Sequence, residues 1–121
     1  MKNNIVYLMK DEKRDCCLFK VGFAKNLSSR VYQYTTHNPF NECISYVETM
    51  NKSKRNVEEM FHNEIIKKGY SFVNAKIDNK STEWFQVSYD DPFYTELNEK
   101  GLCAFDCGRR RKNRGEFIVI K

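Results

Sequence analysis

Phe19-Lys20-Val21-Gly22, followed eight residues after the glycine by Arg30, is the most informative feature of this chain. Its strand-forming residues predict a short strand that ends at Gly22. Asn26 can cap a helix that begins directly afterwards, and this helix carries Arg30 on its first turns. The stretch therefore predicts a strand followed at once by a helix.

A second strand, Ile5-Val6-Tyr7, lies upstream and is separated from the first by the charged residues 11–15. Two strands around a polar loop predict an antiparallel hairpin. Further along the chain, residues 43–49 alternate like a strand, and Gly69 ends a long helix whose apolar residues include Phe61. Residues 84–87 predict another strand, and Pro92 begins a short helix.

The predicted order of elements is typical of an α+β domain with a small antiparallel or mixed sheet flanked by helices, built on a β-β-α-β-α core. With 121 residues, the chain is long enough for one core. We expect the core domain to span residues 1–97. Residues 98–121 are expected to form a basic tail, whose last apolar run, Phe117-Ile118-Val119-Ile120, could add an edge strand.

The composition of the chain limits the classes of protein to which it can belong. The formal net charge is +5, which permits binding to a phosphate polymer. Five cysteines, two of them adjacent at Cys16-Cys17, do not predict a disulfide framework. There is no long apolar run and no signal-peptide pattern, so we expect an intracellular protein, in the cytoplasm or the nucleus, with no membrane partner.

The motifs resemble those of the GIY-YIG nuclease superfamily. The resemblance is strongest to a subgroup from phages, large DNA viruses and some fungi, which has lysine in place of the second motif tyrosine and a closing Glu-Trp-Phe strand. Lys20 and Glu83-Trp84-Phe85 match these features, and the resemblance covers about residues 4–87. It implies an endonuclease that hydrolyses DNA phosphodiester bonds with Mg²⁺ or Mn²⁺.

The resemblance also implies a set of catalytic residues. Tyr7 and Lys20 match the two strand motifs, and Arg30 matches the helix arginine that grips phosphate oxygens. Tyr34, four residues later, is either a second phosphate or water contact or a core residue. Because a nearby ammonium favours phenolate, Lys20 is expected to lower the pKa of Tyr7.

Glu58 is the predicted metal ligand, because Mg²⁺ needs only one or two carboxylates when phosphate and water complete its shell. Phe61 lies three residues later and is expected to anchor the same helix. Gly22, Glu83 and Trp84 are expected to support the site structurally.

Basic residues are predicted to contact the nucleic acid. These are Lys25 and the cluster Arg109, Arg110, Arg111, Lys112 and Arg114. The cluster is equally typical of a solvated tail or a nuclear localisation signal. Two other functions stay open: a catalytically weak nucleic-acid-binding module and a protein-interaction domain. DNA is the expected partner, with a homodimer or a recruiting protein as further options.

Overall fold

The computed structural model describes residues 4–49, 54–74, 78–106 and 117–119. Its centre is an antiparallel hairpin of β1 (Asn4–Glu12) and β2 (Cys17–Ala24), as the sequence predicts. Tyr7 lies directly opposite Gly22 in this pair, and Met9 lies opposite Lys20. The hairpin therefore brings both predicted strand motifs to adjacent positions of one sheet.

Four further strands complete the sheet in the described part of the chain. β3 (Asn41–Thr49) pairs with the other edge of β1, and β5 (Ser81–Val87) pairs with β2. β4 (Phe72–Asn74) lies outside β5, and β6 (Phe117–Val119) lies outside β3. The order is β4-β5-β2-β1-β3-β6, and each of these pairings is antiparallel. The predicted α+β class is confirmed.

Three α-helices flank the sheet: α1 (Leu27–His37), α2 (Lys54–Lys67) and α3 (Pro92–Lys100). Asn26 caps α1 as predicted, because its side chain accepts a hydrogen bond from the Ser29 backbone at 3.1 Å. Asp91 caps α3, and a short 3₁₀ helix follows at Gly101–Ala104. Within the described residues, none of the helices has the length and apolar character needed to cross a bilayer.

Alternation along the strands separates the two faces of the sheet. Val6 and Leu8 point to the face covered by α2 and α3, where Phe61 and Ile65 are fully buried. Tyr7 and Met9 point to the opposite face, where they pack with residues of α1. The sheet is thus buried on both sides, and the Tyr7 side chain lies on the α1 face.

The observed strands differ from those predicted from the sequence at two places, β1 and β4. Asp11 and Glu12 belong to β1 rather than to the polar loop, because Asp11 pairs with Leu18 of β2 and Glu12 pairs with Cys17. β4 lies between Gly69 and the strand predicted at residues 84–87, where the sequence predicts no strand. It is only three residues long, and pairing with β5 stabilises it.

Residues beyond Leu97 also contribute to the core. Leu102 and Phe105 are fully buried, and the Phe105 ring packs edge-on against Phe61 and Phe93, with 5.3 Å between ring centroids in both pairs. The hydrophobic cluster on the α2 and α3 face therefore reaches past the predicted domain boundary at residue 97.

Candidate active site

Tyr7 is the buried centre of the candidate site. Only 1% of its surface is exposed, and its hydroxyl lies 3.1 Å from the hydroxyl of Tyr34 on α1. The two rings meet edge-on, with 6.2 Å between their centroids. The strand motif and the helix are therefore joined by a hydroxyl pair, and Tyr34 both packs against the sheet and offers a polar group.

Gly22 makes this arrangement sterically possible. It faces Tyr7 across the hairpin, and the tyrosine ring lies over the space that a side chain at position 22 would occupy. Gly22 is predicted to support the site structurally, and the structure shows that its missing side chain leaves room for the phenol ring of Tyr7.

Lys20 lies on the same face of the sheet as Tyr7. Its cross-strand neighbours are Met9 and Trp84, and its ammonium is 5.0 Å from the centre of the Tyr34 ring. Trp84 meets Tyr34 edge-on at 6.1 Å. The lysine is therefore held against an aromatic wall by a cation–π contact.

Arg30 is exposed on α1, one helical turn before Tyr34. Its charge acts on Tyr7, since it lowers the pKa of the phenol. Arg30 and Lys20 thus bring positive charge to the Tyr7–Tyr34 pair from the helix and from the sheet.

The pKa of Tyr7 is nevertheless raised well above its ordinary value of 10.0. Burial is the largest cause, followed by the hydrogen bond and the charge of Tyr34, and Glu83 raises it further. The net shift is opposite to the expected lowering, and Lys20 does not rank among the largest causes, so the effect assigned to Lys20 stays a prediction. The cation that opposes the rise is Arg30, and desolvation outweighs it.

Helix α2 comes close to the end of β2 at which Gly22 lies. His62 Nε2 is 2.8 Å from the backbone oxygen of Val21, a contact that its sequence position does not predict. Phe61 anchors the helix in the core on the far face. Glu58 belongs to α2, one turn before His62, and its side chain lies outside the described residues.

These elements lie within a segment that matches a known family. The T5orf172 domain matches residues 4–98. The chain belongs to the T5orf172 domain family. This domain is found in phage proteins and is associated with a GIY-YIG-like or HNH-type nuclease fold. No match was found among curated proteins or among solved structures.

The T5orf172 match contains Tyr7, Lys20, Arg30, Tyr34 and Glu58, and also Lys25, which is exposed between β2 and α1. The basic cluster of the tail lies beyond it. Arg109, Arg110, Arg111, Lys112 and Arg114 are outside the described residues as well. Their predicted contact with nucleic acid stays a prediction.

The described part of the T5orf172 domain holds no group of three or more His, Cys, Asp or Glu side chains that could bind a metal. Such a group is not required for a magnesium-type ion, which keeps most of its waters and takes one or two carboxylates. Glu83, exposed on β5, is close enough for its charge to affect Tyr7. Glu58 is the predicted metal ligand, and Glu83 is predicted to support the site structurally.

Proposed function

We propose that this protein is an endonuclease that hydrolyses DNA phosphodiester bonds with the help of Mg²⁺ or Mn²⁺. The main observation in support of this proposal is the hydroxyl pair of Tyr7 and Tyr34. Lys20 and Arg30 flank this pair on one face of the sheet. The link between the T5orf172 family and nuclease-like proteins supports this reading.

The two cations act on the phosphate in this proposal. Arg30 is exposed, and its planar guanidinium can donate two hydrogen bonds to phosphate oxygens while keeping its charge. Lys20 stabilises the same group as a point charge, because its ammonium is already positioned against Tyr34. A metal ion bound at Glu58 would stabilise negative charge on the attacked phosphate and on the leaving oxygen.

The tyrosine pair positions the attacking water. Because burial and Tyr34 raise the pKa of Tyr7, its hydroxyl is protonated at neutral pH. It therefore serves as a hydrogen-bonding group that orients water, and it serves as a base only when substrate and metal lower its pKa. Tyr34 is half-buried and can contact both Tyr7 and a ligand.

A nucleic-acid-binding module with weak catalysis is the second candidate. The burial of Tyr7 favours it, because desolvation raises the pKa of the phenol and opposes formation of a phenolate. Such a module would use Lys20 and Arg30 for phosphate binding alone, and its affinity would fall with salt.

Plasmid nicking tests the proposal. Supercoiled DNA is incubated with the protein and Mg²⁺, Mn²⁺ or EDTA, and the appearance of nicked circles is followed. We expect metal-dependent nicking that Arg30→Gln and Tyr34→Phe each reduce by about tenfold or more. Lys100→Gln, an exposed change at the end of α3, is the control. Salt-sensitive binding without nicking would support the binding module instead.

A further inference from the structure

His62 forms a hydrogen bond that joins helix α2 to strand β2. Its Nε2 atom lies 2.8 Å from the backbone oxygen of Val21. Because a carbonyl oxygen only accepts, Nε2 carries a proton and donates it, so a neutral His62 ring is the Nε2–H tautomer. The half-buried ring also meets Phe72 of β4 edge-on, with 5.6 Å between the ring centroids. Two contacts with the sheet therefore fix the orientation of this imidazole.

The hydrogen bond reaches β2 at the place where the pairing of β2 with β5 ends. The last pair of that register is Lys20 with Trp84, and Val21 is the next residue of β2. His62 therefore attaches α2 to the first residue of β2 beyond this register.

The bonded carbonyl belongs to the peptide that joins Val21 to Gly22. The Tyr7 ring lies over Gly22 so closely that no side chain would fit at this position. Because a peptide unit is planar and stiff, a displacement of the Val21 carbonyl also displaces the Cα atom of Gly22. Tyr7 is only 1% exposed and has little free space around it, so its ring would have to follow. The bond from α2 is thus mechanically connected to the Tyr7 hydroxyl.

The helix that supplies this bond is itself fixed in the core. Phe61 and Ile65 of α2 are fully buried, and Phe61 packs edge-on against Phe105. The same helix carries Glu58, one turn before His62. One hydrogen bond therefore relates the helix of the predicted metal ligand to the strand residue on which Tyr7 packs.

We propose that His62 is a positioning residue of the nuclease site. Its hydrogen bond to Val21 holds the Val21–Gly22 peptide, and through this peptide the Tyr7 hydroxyl, in a fixed place relative to α2. The inference rests on the proposed function, which it deepens. His62 does not touch the substrate in this role. Its effect on the rate is large because a displacement of about 1 Å in a positioned group can cost about a hundredfold.

Two substitutions of His62 separate the hydrogen bond from the shape of the ring. His62→Phe keeps an aromatic ring against Phe72 and removes the donor. His62→Gln places an amide N–H close to the position of Nε2 and keeps the bond. Asn63→Leu, an exposed change at the next residue of α2, is the matched control.

The first measurement needs no activity. In protein labelled with ¹³C in its tyrosine rings, the Tyr7 signals are identified by their absence from the spectrum of Tyr7→Phe. We expect His62→Phe to shift these signals, whereas His62→Gln and Asn63→Leu leave them in place. In the wild-type protein, nitrogen NMR of the His62 imidazole should show a proton on Nε2, and this result does not depend on whether any variant folds.

Single-turnover nicking with Mg²⁺ measures the consequence for the reaction, at a temperature where circular dichroism shows every variant to be folded. His62→Phe should slow cleavage of bound DNA by about tenfold or more, and His62→Gln should recover the rate to within about threefold of the wild type. DNA affinity in EDTA should stay the same in both. In a Tyr7→Phe background, His62→Phe should cost less than about threefold, because the positioned hydroxyl is already absent.

Tyr7 signals that stay in place in His62→Phe, or a proton on Nδ1 alone in the wild-type imidazole, would overturn the inference. Equal losses of rate in His62→Phe and His62→Gln would overturn it too, since only the second keeps the donor. Nicking by the wild-type protein keeps this failure apart from failure of the proposed function. Shifted Tyr7 signals without any nicking would remove the endonuclease and keep His62 as the residue that positions Tyr7.

Discussion

The Tyr7 side chain fills the space that a Cβ atom on Gly22 would need. Its hydroxyl oxygen lies 2.6 Å and its Cζ atom 2.8 Å from that Cβ position. Such distances are too short for any real side chain, and Tyr7 is packed too tightly to retreat freely. The glycine of one strand motif thus sets the position of the tyrosine of the other.

Gly22→Ala is therefore expected to displace the Tyr7 hydroxyl and to break its hydrogen bond to Tyr34. Overpacking should lower the free energy of unfolding by about 1–3 kcal/mol. Nicking should fall by about a hundredfold, because small displacements of a positioned group are costly. Denaturant unfolding and single-turnover nicking measure the two effects.

A double-mutant cycle tests whether Gly22 acts through Tyr7. In a Tyr7→Phe background, Gly22→Ala should cause little further loss of nicking, since the hydroxyl is already absent. Independent, multiplicative losses would show that the glycine serves another purpose.

Tyr7 should make the protein sensitive to alkaline pH. Its pKa is raised in the folded state by burial and by Tyr34, whereas the unfolded chain titrates near its ordinary value of 10.0. The unfolded state then binds fewer protons above about pH 10, so stability is full below that pH and falls as pH rises. Urea unfolding between pH 8 and pH 11 should show a shallower fall for Tyr7→Phe. An equal slope in both proteins would contradict the prediction.

Lys20→Met should reduce nicking by about tenfold without moving the basic limb of the pH–rate profile. The ammonium contacts the Tyr34 ring, and Arg30 is the cation that lowers the pKa of Tyr7. A tenfold reduction corresponds to about 1.4 kcal/mol and suits a phosphate contact. Single-turnover cleavage across pH is the measurement. A basic limb displaced to higher pH would support the pKa-tuning role of Lys20.

Glu58→Gln should abolish nicking at ordinary Mg²⁺ and leave the fold nearly intact, because it removes a hard anionic ligand and keeps the side-chain size. Glu59→Gln is the matched control, since Glu59 is the next residue of α2 and is exposed. Full activity in Glu58→Gln, or an equal loss in both variants, would remove Glu58 from the metal role.

Replacing Arg109, Arg110 and Arg111 with glutamine should weaken DNA binding. The rate at which bound DNA is cleaved should stay the same. Substitution is better than truncation here, because Phe117–Val119 form β6 and truncation would remove that strand. The slope of log affinity against log salt should become shallower by about one unit for each DNA phosphate that the variant no longer neutralises. An unchanged slope would show that these arginines do not touch the DNA backbone.

Much of the fold could be predicted because its signals are local. The Asn26 cap, the Pro92 start and the apolar periodicities each depend on a few neighbouring residues, and the structure contains these elements. The strand β4 could not be predicted, because a three-residue strand has little propensity of its own and is stabilised by its partner.

Local signals along the chain were enough to predict the hairpin, the capped helix and the residue types available for phosphodiester chemistry. Tertiary packing alone established how these parts are related in space: the Tyr7–Tyr34 hydroxyl pair, the placement of Lys20 on Tyr34, and the unsatisfied oxygens of Asp11 and Asn41. The reason is that a pKa and a hydrogen-bond partner depend on burial and on residues distant along the chain. Tyr7 is separated from Tyr34 by 27 positions, and only packing of α1 on the sheet makes the phenol buried and hard to ionise.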